Sequence, residues 1–158
     1  MIIIIGCARS GTGFISEKAK EIGLDIGHEK VGEHGIADWS QTTDGLFIDK
    51  QDGVFCHQVR NPLDTIASCT TLAGESWQFI SKYIPIGDSL IHSCMIYWYY
   101  WNLLAEEKAS HTYQLETFEP SNVNSRDHIT LTWEDLKEID SELTDKIIDL
   151  AKSYGYGY

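Results

Sequence analysis

A chain of 158 residues, 42% hydrophobic and 23% charged, predicts one globular domain over residues 1–158 and excludes a disordered or collagen-like polypeptide. Twelve Lys and Arg against 24 Asp and Glu leave a formal charge of −12, which argues against a nucleic-acid partner and against docking on anionic membranes. The arginines are few, Arg9, Arg60 and Arg126, so their placement carries information.

Ile2–Ile5 is a continuous β-branched run, the pattern of a strand buried on both faces of a parallel sheet. No positive charge precedes it, and Gly6 ends it too soon for the apolar segment of a signal peptide. Beyond the loop 6–13, Ile15, Ala19 and Ile22 fall at helical spacing and Gly23 supplies a C-cap signal. Residues 24–26 read as a second short strand that ends at Gly27-His28-Glu29, and residues 30–53 as a long excursion with little regular structure. Val54–Val59 is the second clear strand. Pro62 suits the first turn of a helix running through Ile66 to Leu72. A longer helix is expected over 89–108 and a further core strand over 112–115. Leu136, Ile139, Leu143, Ile147, Leu150 and Tyr154 form a helical stripe, interrupted near Asp140-Ser141 where a new N-cap is available. Strands alternating with helices predict an α/β fold, a three-layer parallel sheet flanked by helices, with ligands at the carboxyl ends of the strands.

The densest apolar stretch, 90–105, contains His92, Ser93 and Asn102 and is too short to span a bilayer. Cys7, Cys56, Cys69 and Cys94 form no C-x-x-C pair and no zinc-finger spacing. The expectation is a cytoplasmic protein with reduced thiols and no membrane insertion.

The segment Gly6-Cys7-Ala8-Arg9-Ser10-Gly11-Thr12-Gly13 joins the first strand to a helix. In that setting backbone N–H groups wrap phosphate oxygens. Both framing glycines of the pattern G-x-x-x-x-G-K-[ST] are present, but Thr12 replaces its Lys and Gly13 its metal-holding hydroxyl. A kinase or NTPase needs both groups. With Arg9 as its cation, the loop suits one 5′-phosphate-type group and no metal. A tight Gly-rich turn is the plain alternative. Arg9 favours the phosphate, because a cation at a helix N-terminus opposes the helix dipole unless an anion is present. Arg60 leaves the Val54–Val59 strand at its carboxyl end, and Ser68 lies two helical turns further on. If the two strands are neighbours, that guanidinium and hydroxyl offer a second phosphate site.

Arg9-Ser10-Gly11-Thr12 after the first strand, and Arg60-x-Pro62 with Ser68 eight residues after the Arg, together resemble the sulfotransferases that use 3′-phosphoadenosine 5′-phosphosulfate (PAPS). The resemblance extends through Trp101-Asn102, Tyr113-Gln114-Leu115-Glu116, which looks like the family's Tyr-Arg-x-Glu strand, Val123-Asn124 and Thr132-Trp133-Glu134-Asp135-Leu136. It implies a P-loop-type, sulfotransferase-like architecture. It also implies PAPS as sulfuryl donor, no metal, and transfer to a hydroxyl or amine of a small-molecule or carbohydrate acceptor. Many family members are longer. Arg9 stands where cytosolic members carry Lys, Gly13 stands where relatives often carry Thr, and the closing Arg-Lys-Gly motif is absent.

Under that resemblance Arg9 stabilises the leaving-group oxygen, and Ala8, Ser10, Gly11, Thr12 and Gly13 bind the 5′-phosphate with it. Arg60 and Ser68 bind the 3′-phosphate. Arg126 either folds over that phosphate or is an exposed arginine beside Asp127. The candidate general bases are His28 and Glu29, followed by Glu33 and His34. His57, inside a strand, reads as a hydrogen-bonded core histidine, and Glu116 as a structural carboxylate. The five consecutive aromatics at 97–101 read as a buried helix. Alternatively, one or two of them wall an acceptor pocket with Trp77 or Trp39. Two other functions fit the loop less fully: a nucleotide-binding module without turnover, and a small-molecule kinase or NTPase.

Overall fold

Strand β1 (Ile2–Ile5) occupies the middle of the sheet, paired in parallel with β3 (Gly35–Ala37) on one side and β4 (Val54–Val59) on the other. Strand β2 (Ile26–His28) flanks β3 and β5 (His111–Gln114) flanks β4, so the order is β2-β3-β1-β4-β5 with every pairing parallel. The computed structural model describes residues 1–43, 53–118 and 129–158. Arg126 and Val123-Asn124 lie outside the described residues.

The apolar run of β1 is explained by two covered faces. Ile4 packs with Ile15 and Ala19 of helix α1 (Thr12–Glu21), whereas Ile3 and Ile5 pack with Ile36 and Ala105 on the opposite face. Ala105 belongs to α4 (Leu90–Lys108). Around α4 gather α2 (Pro62–Cys69), α3 (Gly74–Ile80), α5 (Trp133–Ile139) and α6 (Ser141–Ser153), sharing a core that includes Tyr97, Trp98 and Trp101. Those three rings are fully buried, so most of the aromatic run is core. Asp140 ends α5 and caps α6, its Oδ1 accepting from the Leu143 N–H at 2.9 Å, which is the interruption expected at that point.

Three expectations need correction. Residues 30–53 are not one irregular excursion, since they contain β3 and a 3₁₀ turn at Trp39–Thr42. A strand of three residues is too short to show a period. Residues 24 and 25 precede β2, which begins at Ile26. Helix α2 stops at Cys69, and Thr70, Thr71 and Leu72 follow as tighter turns, each N–H bonding three residues back. Helix α3 gave no sequence signal because it buries only Ile80. The connection from β2 back to the start of β3 is six residues long. That suffices because each strand spans only about 10 Å. A side chain at Gly27 would collide with the Lys30 carbonyl, so the return needs glycine there.

All four cysteines are free thiols. Burial pushes Cys94 up to about 12, and Cys7 and Cys69 well above the usual thiol range, so none of these three is a nucleophilic thiolate at neutral pH. Among the described residues, no helix is long and apolar enough to cross a membrane.

His57 is the buried hydrogen-bonded histidine expected. Its Nε2 meets Asn102 Oδ1 at 3.0 Å and its Nδ1 meets Thr112 Oγ1 at 3.2 Å. Asn102 Nδ2 donates to the Trp98 carbonyl, so Oδ1 is the acceptor, which assigns the ring hydrogen to Nε2. Burial lowers the pKa from its ordinary value of 6.5. As pH falls below that value the unfolded chain binds a proton here that the folded chain refuses. Stability from this group is therefore full above about pH 6.5 and falls by up to about 1.4 kcal/mol per pH unit below it. Urea unfolding should accordingly show a steeper loss of stability between about pH 6.5 and 5.5 in the wild type than in His57→Gln; parallel slopes would contradict this.

Candidate functional site

In an all-parallel sheet every strand ends on the same edge, and ligands bind where the connections diverge to opposite sides. Here that point is β1. The chain leaves it towards β2 and β3 on one side and later returns past it to β4 and β5 on the other. The residues beyond the strand ends meet in one cleft of about 730 Å³. Ala8, Arg9, Gly11, Thr12 and Gly13 line it from the loop, Arg60 and Ser68 from the β4–α2 segment, and His28 and Glu29 from the end of β2. Ser10 is buried beneath the lining. The cleft thus brings together the candidates from all three segments.

The loop is shaped by backbone and braced by neighbours. Arg9 and Gly11 lie in the left-handed region, at φ of 67° and 93°, and a side chain at Gly11 would strike the Leu115 methyls. The buried Gln58 donates from Nε2 to the Ser10 carbonyl at 2.7 Å, and its Oε1 accepts from Tyr113 Oη at 2.9 Å. Tyr97 Oη accepts from the Ala8 N–H at 2.8 Å, and Thr42 Oγ1 accepts from the Gly6 N–H at 3.2 Å. Burial pushes both phenols above the usual tyrosine range, so they remain protonated at neutral pH.

The two helix N-termini at the cleft differ. Helix α2 is closed, because Asn61 Oδ1 accepts from the Leu63 and Asp64 N–H groups and Asp64 adds a carboxylate to the first turn. Helix α1 is open: Gly11 has no side-chain cap to give, and no acidic residue sits in its first turn. Its first amides are free of capping side chains and carry the positive end of the helix dipole.

Two guanidinium groups line the cleft. Arg60 is buried and donates from Nη1 to the Arg9 carbonyl at 3.1 Å. Arg9 reaches across to the turn after α2, donating from Nη2 to Thr71 Oγ1 at 3.0 Å. Arg9 Nε and Ser10 Oγ are buried without a hydrogen-bond partner among the described residues. Each such orphan costs about 1–3 kcal/mol unless a ligand or water satisfies it. Backbone strain points to the same place. Arg9 and Glu29 are the non-glycine residues with positive φ among those described, and both line the cleft.

His28 and Glu29 face each other, Nε2 to Oε1, at 3.8 Å. The imidazole lies over the first turn of α1, with Cε1 3.5 Å from where a Gly13 Cβ would stand. The second pair of base candidates is on the wrong edge. His34 precedes β3, its carbonyl accepts from the Ile2 N–H and its Nδ1 from the Asp25 N–H; neither it nor Glu33 lines the cleft. Glu116 is structural, accepting from the Asn61 N–H at 2.8 Å and from Tyr156 Oη at 2.9 Å. Of the two tryptophans weighed as pocket walls, Trp39 lines the cleft and Trp77 a separate depression.

Sequence reasoning missed Gln58, Thr71, Phe14 and Glu17. Gln58 left one signal, a polar residue inside an otherwise buried strand end just before Arg60. No family model, curated protein or solved structure matches the chain, so the cleft's chemistry must be read from its own residues.

Gln58→Leu removes both of that residue's bonds and leaves the Ser10 carbonyl and the Tyr113 hydroxyl buried and unpaired. A loss of about 2 kcal/mol or more in denaturant unfolding is expected; a loss below about 0.5 kcal/mol would show that the loop does not need the brace.

Proposed function

We propose that the chain is a PAPS-dependent sulfotransferase of P-loop type, transferring a sulfuryl group to an acceptor hydroxyl or amine. The observation that carries the proposal is the pairing of two different anion corners in one cleft. One is the uncapped N-terminus of α1 with its unsatisfied Arg9 Nε and Ser10 Oγ. The other is Arg60 with Ser68, beside a helix whose own N-terminus is already capped. Because both groups line one cleft, the reading of a ligand bearing two phosphates is supported. A magnesium triphosphate fits poorly, because Thr12 and Gly13 stand where its lysine and metal-holding hydroxyl belong.

PAPS, when bound, supplies a sulfuryl group on a 5′-phosphate leaving group. The amides at the start of α1 and the Thr12 hydroxyl would hold that phosphate. A guanidinium is a permanent cation, so Arg9 would stabilise negative charge growing on the leaving oxygen while donating a proton poorly. Arg60 and Ser68 would hold the 3′-phosphate by charge-assisted and neutral hydrogen bonds. His28, held over Gly13, or its neighbour Glu29 would take the acceptor's proton.

Calorimetry tests the donor site. Metal-independent binding of adenosine 3′,5′-bisphosphate is expected, and a preference for ATP–Mg²⁺ would overturn the proposal. Arg60→Ala should weaken the bisphosphate by about tenfold to a hundredfold while changing adenosine 5′-phosphate little. Radiolabelled sulfate transfer to alcohols, sugars and amines tests turnover; bisphosphate binding without transfer to any acceptor would indicate a binding module. Arg9→Ala should reduce turnover far more than bisphosphate affinity, and equal losses would contradict its assignment to the leaving group. A rate flat from about pH 5.5 to 8 would count against His28 as base.

A further inference from the structure

The 3₁₀ turn that follows β5, Leu115–Thr117, touches both phosphate segments. Register sets Gln114, the last residue of β5, opposite Val59, the last of β4, so the two chains leave the sheet side by side. Leu115 is fully buried with its methyls against Gly11, where they leave no room for a side chain. The next residue, Glu116, accepts from the Asn61 N–H at 2.8 Å through Oε1. That N–H belongs to the planar peptide joining Arg60 to Asn61, so Glu116 fixes the backbone from which Arg60 projects. Arg60 in turn donates from Nη1 to the Arg9 carbonyl at 3.1 Å. One short turn is thus seated on the phosphate loop by Leu115 and on the Arg60 segment by Glu116.

Strand β5 is at the edge of the sheet, and the turn beyond it is braced by the residues after α6. Gly155, at φ 92°, reverses the chain, and the Tyr154 carbonyl accepts from Gln114 Nε2 at 2.9 Å. Tyr156 is thereby brought to Glu116, and its Oη donates to Oε2 at 2.9 Å. Burial, and then the Glu116 carboxylate, push that phenol above the usual tyrosine range, so it keeps its proton at neutral pH. With both oxygens engaged, the carboxylate is held in one place. Neither Glu116 nor Tyr156 lines the cleft, so any effect on a ligand there passes through Arg60 and Asn61.

We infer that Glu116 and Tyr156 are positioning residues for the second phosphate, holding Arg60 where it can share a ligand with the start of α1. The role rests on the donor assignment above. It makes discrimination between one phosphate and two depend on residues outside the cleft, with the segment after α6 as part of the device.

Calorimetry with adenosine 3′,5′-bisphosphate and adenosine 5′-phosphate tests the role. In Tyr156→Phe, bisphosphate affinity should fall about threefold to tenfold and 5′-phosphate affinity by less than about twofold. Glu116→Ala should lower the ratio of the two affinities further. Glu116→Gln keeps an acceptor for Asn61 and a partner for Tyr156, so its ratio should stay within about twofold of the wild type. The decisive comparison adds Arg60→Ala, in whose background Tyr156→Phe should have no further effect on the bisphosphate. The Tyr156→Phe series decides alone where Glu116→Ala does not fold. Equal weakening of both ligands, an unchanged ratio in Tyr156→Phe, a ratio lost as fully in Glu116→Gln as in Glu116→Ala, or losses that add to that of Arg60→Ala would overturn the inference and leave the donor site standing. A wild-type chain that binds the bisphosphate no more tightly than the 5′-phosphate would remove the second phosphate site, and the inference with it.

Discussion

Because β1 hydrogen-bonds in parallel to β3 on one side and to β4 on the other, the strands all end on one edge and the connections diverge above its centre. The arrangement requires β1 to be apolar on both faces, with Ile4 turned to α1 and Ile3 and Ile5 to the α4 side. It also places the turn after β1 where a ligand can reach a helix N-terminus and the ends of two neighbouring strands together. A different neighbour for β1 would keep the loop and lose Arg60 from its side.

The loop then depends on polar groups that the core has to accommodate. Gln58, Thr42 and Tyr97 come from three separate elements, and each bonds a backbone group of residues 6–10. Such bonds add little net stability but are costly to leave unmade, so they hold the loop in one shape. Within it, two polar atoms have no partner among the described residues, Arg9 Nε and Ser10 Oγ. A site that is rigid yet locally unsatisfied is suited to a ligand that completes it. The formal charge of −12 is compatible with that role, since Arg9 and Arg60 concentrate positive charge at the cleft.

What could be read in the sequence followed from strong, local physical signals. The β-branched run at Ile2–Ile5, Pro62 at the start of a helix and Asp140 dividing two helices each obey a rule that acts within a few residues. The site candidates were legible for a related reason, because glycines and arginines in a strand-to-helix turn have few other uses. Strand β3 was not legible. Its three residues are buried by pairing with strands distant in the chain, and nothing local marks them. Glu33 and His34 stood as base candidates behind His28 and Glu29, and the tight return at Gly27 places them on the opposite edge. Thr71 had no signal at all, since its contact with Arg9 spans 62 positions.

A crystal structure of the chain with adenosine 3′,5′-bisphosphate is the most direct test of the two-corner cleft. The 5′-phosphate is expected at the N-terminus of α1, accepting from Arg9 Nε and Ser10 Oγ, with the 3′-phosphate between Arg60 and Ser68. A bisphosphate bound with its phosphates reversed, or seated away from these two corners, would contradict the account.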